Sequence, residues 1–421
     1  MDFSPSPRTA DLCERVALFI AAEIMPVEQE YGRKLAQART AGRQWRPLPV
    51  LNELQVKARA EGLWNLFLPA GYEDVLDARY LPRGGAGLSN ADYAPIAELT
   101  GRSFLAPMVF NCNAPDSGNM EVLIKYGSAT QREQWLDPLL DGRIRSAFAM
   151  TEPAVASSDA TSMETTATVS GDHVTVKGRK WWSTGVGHPD CDILLVMALT
   201  DPQAPRHARH SMVLIPRSTA GVSVERMLPT MGIYDEPGGH GEISLTDVRV
   251  PLANVIAGPG QAFAIGQGRL GPGRVHHCMR LIGLAESALE LGCRRALSRT
   301  AFGKPLADLG GNRERIAEAR IAIDQARLLV LHAAWLLDTQ GTDGAVAEVS
   351  QIKAVVPKMA QKVIDMAIQL HGAAGLSDDF PLAAAWTHAR ALRLADGPDE
   401  VHLGVVAAYE LRKYRPKTAD E

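Results

Sequence analysis

The chain has 421 residues, of which 46% are hydrophobic and 22% charged, and its formal net charge is -4. This length predicts two or three domains or subdomains, and the composition is that of an ordinary soluble globular protein. The charge balance supplies no cationic field for nucleic acid and no basic face for a membrane, and no apolar run is long enough to span a bilayer. The opening MDFSPSPRTADLCE has no basic stretch followed by an apolar core, which argues against a secretory signal. Cys13, Cys112, Cys191, Cys278 and Cys293 are scattered and odd in number, and no pair has the two-residue spacing of a zinc or redox site. Reduced thiols in a cytoplasmic protein are expected.

From the N-terminus to about Leu139 the pattern is helical, with loops between. Leu12, Val16, Phe19 and Ile20 fall at helical spacing in Asp11–Ile24, and Pro26 is expected to close that helix. Leu51–Leu63 and Ala94–Thr100 also read as helices. Arg83–Ser89 is Gly-rich and is expected to be a surface loop. Asn111–Met120 gathers Asn, Pro, Asp, Ser and Gly, which predicts a loop near an active cleft or a helix start.

From about Arg145 to Ile256 the pattern switches to strands. Met163–Val169 and His173–Lys177 alternate, with Ser170-Gly171-Asp172 as a tight turn. Asp192–Leu199 and His210–Pro216 are apolar runs, and Gly221–Met227 and Gly241–Val250 alternate. Short strands at this spacing predict a small barrel or sandwich. Before the hairpin lies FAMTEPAVASSDA, rich in small and hydroxyl residues; after it stands WWSTG. Small residues let backbone approach a ligand, hydroxyls bond ring edges or phosphates, and an indole offers a planar ligand a flat wall. Taken alone, the same letters also describe a hairpin with a buried Trp pair.

From about Gly260 the pattern returns to helix. Arg274–Leu297 forms one; Ile316, Ala319, Ile323, Ala326, Val330, Ala333 and Leu337 give the seam of a second. Val356, Met359, Val363, Ala367 and Leu370 mark a third, and a fourth is expected after His402. The expected class is α+β, mainly α: a helical domain at 1–144, a β domain at 145–258 and an antiparallel four-helix bundle at 259–421. No Gly fingerprint follows a strand, so a dinucleotide fold is not expected. Adjacent His276 and His277 point to different helix faces, which argues against a metal pair. By spacing alone, Asp396-Gly397-Pro398 is a turn.

Several motifs in order along nearly the whole chain resemble those of the acyl-CoA dehydrogenase family. They are Thr151-Glu152-Pro153 through Ser158-Asp159, Lys180 through Thr184, TAFGKP at Thr300–Pro305 and QLHGAAG at Gln369–Gly375. AMTEP, GPGRVHHCMR and ADGPDEVH bring the likeness closer to the branch formed by the dehydrogenase domains of family members 10 and 11. The resemblance implies a three-part helix–strand–helix fold and an FAD-dependent oxidoreductase of fatty acid β-oxidation. Its substrate would be an acyl-CoA, its product a trans-2-enoyl-CoA, and its electron acceptor an electron-transfer flavoprotein. FAD sites shared across subunits imply a homodimer or homotetramer. An acyl-CoA oxidase on the same fold and a non-catalytic flavin- or CoA-ester-binding scaffold are the rival readings.

The implied reaction needs a carboxylate at the α-carbon and flavin N5 at the β-carbon. The resemblance assigns the base to Asp396, shorter than the family's commoner Glu by roughly 1.5 Å. Arg274 would orient that carboxylate, and Ser158, Arg274 and Gly397 would meet the substrate. Phe148, Met150, Thr151, Ser157 and Ser158 would line the pyrimidine end and pyrophosphate of FAD. The loop is one residue longer than the common form, which leaves Ser157 and Ser158 equivalent. Trp182, Ser183 and Thr184 would wall the ring. Arg299, Phe302, Gln369, Gly372 and Ala373 would hold the ADP half of a neighbouring subunit's FAD. Pro398 and Glu400 stand where the family often has Thr and Gln. With no His or Cys in the flavin loop, the FAD is expected to be non-covalent.

Overall fold

The computed structural model describes residues 4–68 and 85–415. Arg83 and Gly84, which open the predicted Gly-rich loop, lie outside the described residues. The remainder of that loop is not all surface, since Leu88 is buried.

The helices before the sheet are α1 (Pro7–Phe19), α2 (Met25–Thr40), α3 (Pro49–Ala60), α4 (Asn90–Thr100), α5 (Ala106–Val109), α6 (Asp116–Tyr126), α7 (Ala129–Gln131) and α8 (Asp137–Leu140). Pro26 does not close the first helix. A π-helical turn, Ile20–Ile24, carries α1 into α2, and the Met25 N–H bonds to the Ile20 carbonyl five residues back. The widened turn delivers Pro26 to the first turn of α2, where its missing N–H costs nothing. α3 ends before the predicted Leu63 because Gly62 turns left-handed at φ 68°. Asn111–Met120 contains a helix start, with α6 beginning at Asp116.

The strands are β1 (Arg145–Ala149), β2 (Thr166–Ser170), β3 (His173–Thr184), β4 (Cys191–Leu199), β5 (His210–Pro216), β6 (Val222–Leu228) and β7 (His240–Pro251). Their order is β1-β4-β2-β3-β7-β6, with β5 on β4. β1 also pairs β3 at Phe148↔Thr184, so β1, β4, β2 and β3 form a closed ring of pairings. Ser170 pairs His173, leaving Gly171-Asp172 as the turn. β3 runs beyond the predicted Lys177 because bulges at Val176/Gly178 and Lys180/Ser183 keep it in register with β7. Val174, Val176, Leu194, Val196, Val213 and Ile243 fill the core, each contributing about 1.5–3 kcal/mol by burial.

After the sheet come α9 (Ala262–Ser298), β8 (Thr300–Ala301), β9 (Lys304–Pro305), α10 (Asn312–Gly344), α11 (Val346–His371), α12 (Leu382–Ala391) and α13 (Asp399–Arg412). Both predicted seams are buried, apart from the half-buried Ile316. α13 starts three residues before His402 and has only 14 residues. The short α12 was not expected.

The contacts divide the chain into two compact units. One takes the described residues of Met1–Val16, Asn90–Arg102 and Gly271–Glu421; the other takes those of Ala17–Ser89 and Ser103–Leu270. In the first unit α4 crosses α9 backbone to backbone. A Cβ on Gly283 would stand 1.9 Å from the Glu98 carbonyl oxygen, so only glycine permits the crossing. Among the described residues no helix is long and apolar enough to cross a membrane.

Candidate active site

In the second unit the loop after β1 is anchored from beneath. Glu152 is buried, and its carboxylate accepts from the Glu164 N–H at 2.7 Å, the Thr165 N–H at 2.9 Å and Lys180 Nζ at 2.7 Å. Lys180, fully buried on β3, also donates to the Met150 carbonyl at 2.8 Å. Burial pushes Lys180 down to about 8 against the pull of Glu152, so the ammonium persists at neutral pH. Burial pushes Glu152 up, yet Lys180 and the two N–H donors outweigh it and hold the carboxyl below its usual range. The ion pair ties strand to loop. Its price in desolvation makes it a device for placing Met150 and Thr151 more than a source of stability.

The two serines separate here. Ser157 Oγ accepts the Glu152 N–H at 2.8 Å and is used up within the loop. Ser158 is exposed, and its hydroxyl bonds no other described residue. Phe148 is held from behind: the Arg269 guanidinium lies 3.9 Å over its ring, and Arg269 Nε donates to Asn119 at 3.2 Å.

The bulge in β3 displays the second indole. Trp182 has φ 52° and remains 38% exposed, both costly for a bulky side chain. Trp181 turns inward; its indole nitrogen is buried without a hydrogen-bond partner among the described residues. Ser183 is fully buried, and its hydroxyl is likewise unpartnered there. Thr184 Oγ1 lies 2.9 Å from His240 Nδ1, and the His240 ring stands 5.5 Å from Trp182. Burial pushes His240 down against Asp235, which leaves a neutral imidazole beside the indole. His240 was missed in the sequence; its only mark is that it opens the alternating run of β7.

In the first unit the Asp396 turn is held by its backbone. Asp396 has φ 56° and Gly397 φ 103°. The Asp396 carbonyl accepts from Arg274 Nε at 3.1 Å and from His402 Nε2 at 3.2 Å. That acceptor fixes the tautomer: Nε2 of His402 carries the hydrogen. A Cβ on Gly397 would approach His402 Nε2 to 2.7 Å, so glycine is required by both φ and space. The Arg274 Nε bond secures the main chain of the turn, and the carboxylate Oδ2 faces His277 Nε2 at 3.4 Å. Arg274 and His277, one turn apart on α9, meet the same turn. His276 instead sits edge-on to Tyr93, on another face as expected. Burial pushes His402 down to about 4, with Arg274 and Lys353 adding to it.

The remaining expected residues are exposed in this unit. Phe302 is 96% exposed at the tip of the β8–β9 hairpin, with φ 50° followed by Gly303 at φ 76°. Arg299, Gln369, Gly372, Ala373 and Glu400 are exposed, and Pro398 is half-buried.

A model of the acyl-CoA dehydrogenase C-terminal domain matches residues 260–411, and one of the middle domain matches 147–248. Acyl-CoA dehydrogenase family member 10 of Mus musculus is 51% identical over 97% of this chain and 37% of its own length. Probable acyl-CoA dehydrogenase FadE2 of Mycobacterium tuberculosis is 48% identical over 98% of each chain. A solved structure from Mycobacterium abscessus, described as a "putative acyl-CoA dehydrogenase", is 64% identical, with TM-score 0.93 over 98% of this chain and 100% of that one. N-terminal helices, a middle sheet and C-terminal helices in this order are the acyl-CoA dehydrogenase fold. The chain belongs to the acyl-CoA dehydrogenase family of flavoenzymes. It spans 37% of the length of family member 10 and 51% of that of family member 11.

Proposed function

We propose that this chain is an FAD-dependent acyl-CoA dehydrogenase converting an acyl-CoA to its trans-2-enoyl-CoA, with Asp396 as the α-proton base. The Asp396 turn carries the reading. A carboxylate on a left-handed residue, its carbonyl held by Arg274 and His402, is costlier than a surface Asp-Gly-Pro turn needs to be. The residues of the second unit suit a planar cofactor. Trp182 is held outward on strained backbone, and Thr151 and Ser158 have hydroxyls with no bond to another described residue. When bound, FAD supplies the N5 that accepts the β-hydride. Trp182 would wall its ring, Thr151 would meet the pyrimidine edge, and Ser158 would reach the pyrophosphate or the substrate. Asp396 would take the α-proton while the thioester is held close, and Gly397 would leave room for it.

The proposal extends to the division at 1–144, 145–258 and 259–421, to an electron-transfer flavoprotein as acceptor, and to a cytoplasm whose reducing poise suits scattered thiols. Anaerobic addition of an acyl-CoA to the purified yellow protein should bleach the flavin. A flavin that no acyl-CoA reduces would leave only the binding-scaffold reading, and fast reoxidation by air would make the protein an oxidase.

The exposed Phe302 hairpin supports a cofactor site completed by a second copy. Arg299→Ala is expected to lower FAD retention on gel filtration by about tenfold, the size of a lost charge-assisted phosphate contact. A monomeric wild-type protein with full flavin occupancy would end the shared-site reading.

A further inference from the structure

Asp396 shares its surroundings with a histidine to which the proposed reaction gives no task. His277 projects from α9 with Nε2 3.4 Å from Asp396 Oδ2, and on its other side Arg280 Nη2 lies 3.4 Å from Nδ1. A guanidinium can only donate, so Nδ1 must accept. The ring hydrogen is thereby placed on Nε2, facing the carboxylate. Both distances are longer than a mature hydrogen bond, as is common in catalytic sites before substrate closes them.

The charged groups around the ring keep it in that state. Arg280 faces it from α9, Lys353 from α11, His388 from α12 and Asp396 from the turn before α13, whose carbonyl Arg274 holds. Burial first, then Arg280, push His277 down to about 3, with Asp396 pulling the other way. Cys278 stays a thiol, pushed up to about 12 by burial. With Nδ1 facing the Arg280 guanidinium and burial favouring the neutral ring, the imidazole meets the carboxylate as a donor through Nε2.

We propose that His277, its tautomer set by Arg280, is a positioning residue that holds the Asp396 carboxylate ionised and oriented for α-proton removal. The inference rests on the reading of Asp396 as the base. It also accounts for the shorter acid: a side chain with one methylene fewer has fewer torsions to fix, and one directed N–H fixes the carboxylate plane. The sign of the pH effect follows. An N–H donor stabilises the ionised carboxylate and lowers its proton affinity, so losing it moves the acid limb of flavin reduction to higher pH.

The test uses the FAD-loaded protein and the most reactive of a chain-length series of saturated acyl-CoA esters, with flavin reduction followed anaerobically across pH. His277→Leu fills the half-buried space but cannot donate; His277→Gln keeps an amide N–H. The leucine variant is expected to be about tenfold slower or worse at neutral pH, with its acid limb raised by about one unit. The glutamine variant should return the limb to within about half a unit. A leucine variant with the wild-type rate and limb overturns the inference, as does an equal loss at all pH values that glutamine does not relieve. Should the leucine variant fail to hold FAD, the glutamine variant decides: a loss of about tenfold or more in a flavin-loaded protein overturns it. Asp396→Asn separates the two claims. If that variant is inactive while His277→Leu behaves as wild type, only the role of His277 falls; if it reduces flavin normally, the base reading falls first.

Discussion

Asp396→Asn is expected to keep its fold and its FAD and still bind acyl-CoA, yet reduce the flavin about 10²–10⁴-fold more slowly, the usual worth of a general base. The amide keeps the shape of the carboxylate and loses its proton affinity. The backbone bonds from Arg274 and His402 reach the Asp396 carbonyl, which the substitution leaves in place. The fold should therefore survive, and the loss should fall on flavin reduction. Asp396→Glu keeps the carboxylate but pushes it about 1.5 Å farther, past the point that His277 faces. Partial activity is expected, with the approach angle degraded. If the asparagine variant keeps the wild-type rate, the base lies elsewhere. Glu152 is a poor substitute, because its two oxygens are taken by Lys180 and two N–H donors. Glu400, exposed on α13, would be the next candidate.

Lys180→Met is expected to be the most destabilising single change in the middle sheet. It removes the cation and leaves Glu152 buried beside two N–H donors with its charge uncompensated. Breaking one side of a buried pair costs about 3–5 kcal/mol. The released carbonyl is that of Met150, so the flavin loop should loosen together with the fold. Calorimetry should show a lowered Tm and dialysis a faster loss of FAD. The double variant Lys180→Met with Glu152→Leu should recover part of the Tm without recovering FAD retention, because the loop anchor is still missing. An unchanged Tm in the single variant would show that the pair does not carry the loop.

The sequence carried the order of elements and most of the strand limits. His210–Pro216 emerges with the predicted bounds, and the α10 and α11 seams are buried as their spacing requires. Features that depend on backbone geometry or on a neighbour remote in the chain were not legible. Pro26 looks like a helix stop until the π turn before it is seen. The run Lys180 through Thr184 reads as one continuous stretch; the bulge that leaves Trp182 exposed and Ser183 buried depends on the register with β7. Ser157 and Ser158 look alike as letters; the Glu152 N–H engages one of them. The His276-His277 pair was rightly split between two faces, but spacing could not say that one face meets Asp396, because that turn lies more than a hundred residues downstream. α12 was missed because its buried side, Leu382, Ala385 and Ala389, is too short and small to give a clear period.

The central claim is that one carboxylate in this chain starts an oxidation that a bound flavin completes. It is tested most directly by mixing the FAD-loaded wild-type protein and Asp396→Asn, each without oxygen, with the same saturated acyl-CoA. Flavin absorbance and enoyl-CoA formation are followed together. The wild type should bleach and yield one trans-2-enoyl-CoA per flavin, while the asparagine variant holds its colour over the same interval. Bleaching without enoyl-CoA, or equal bleaching by both proteins, would contradict it.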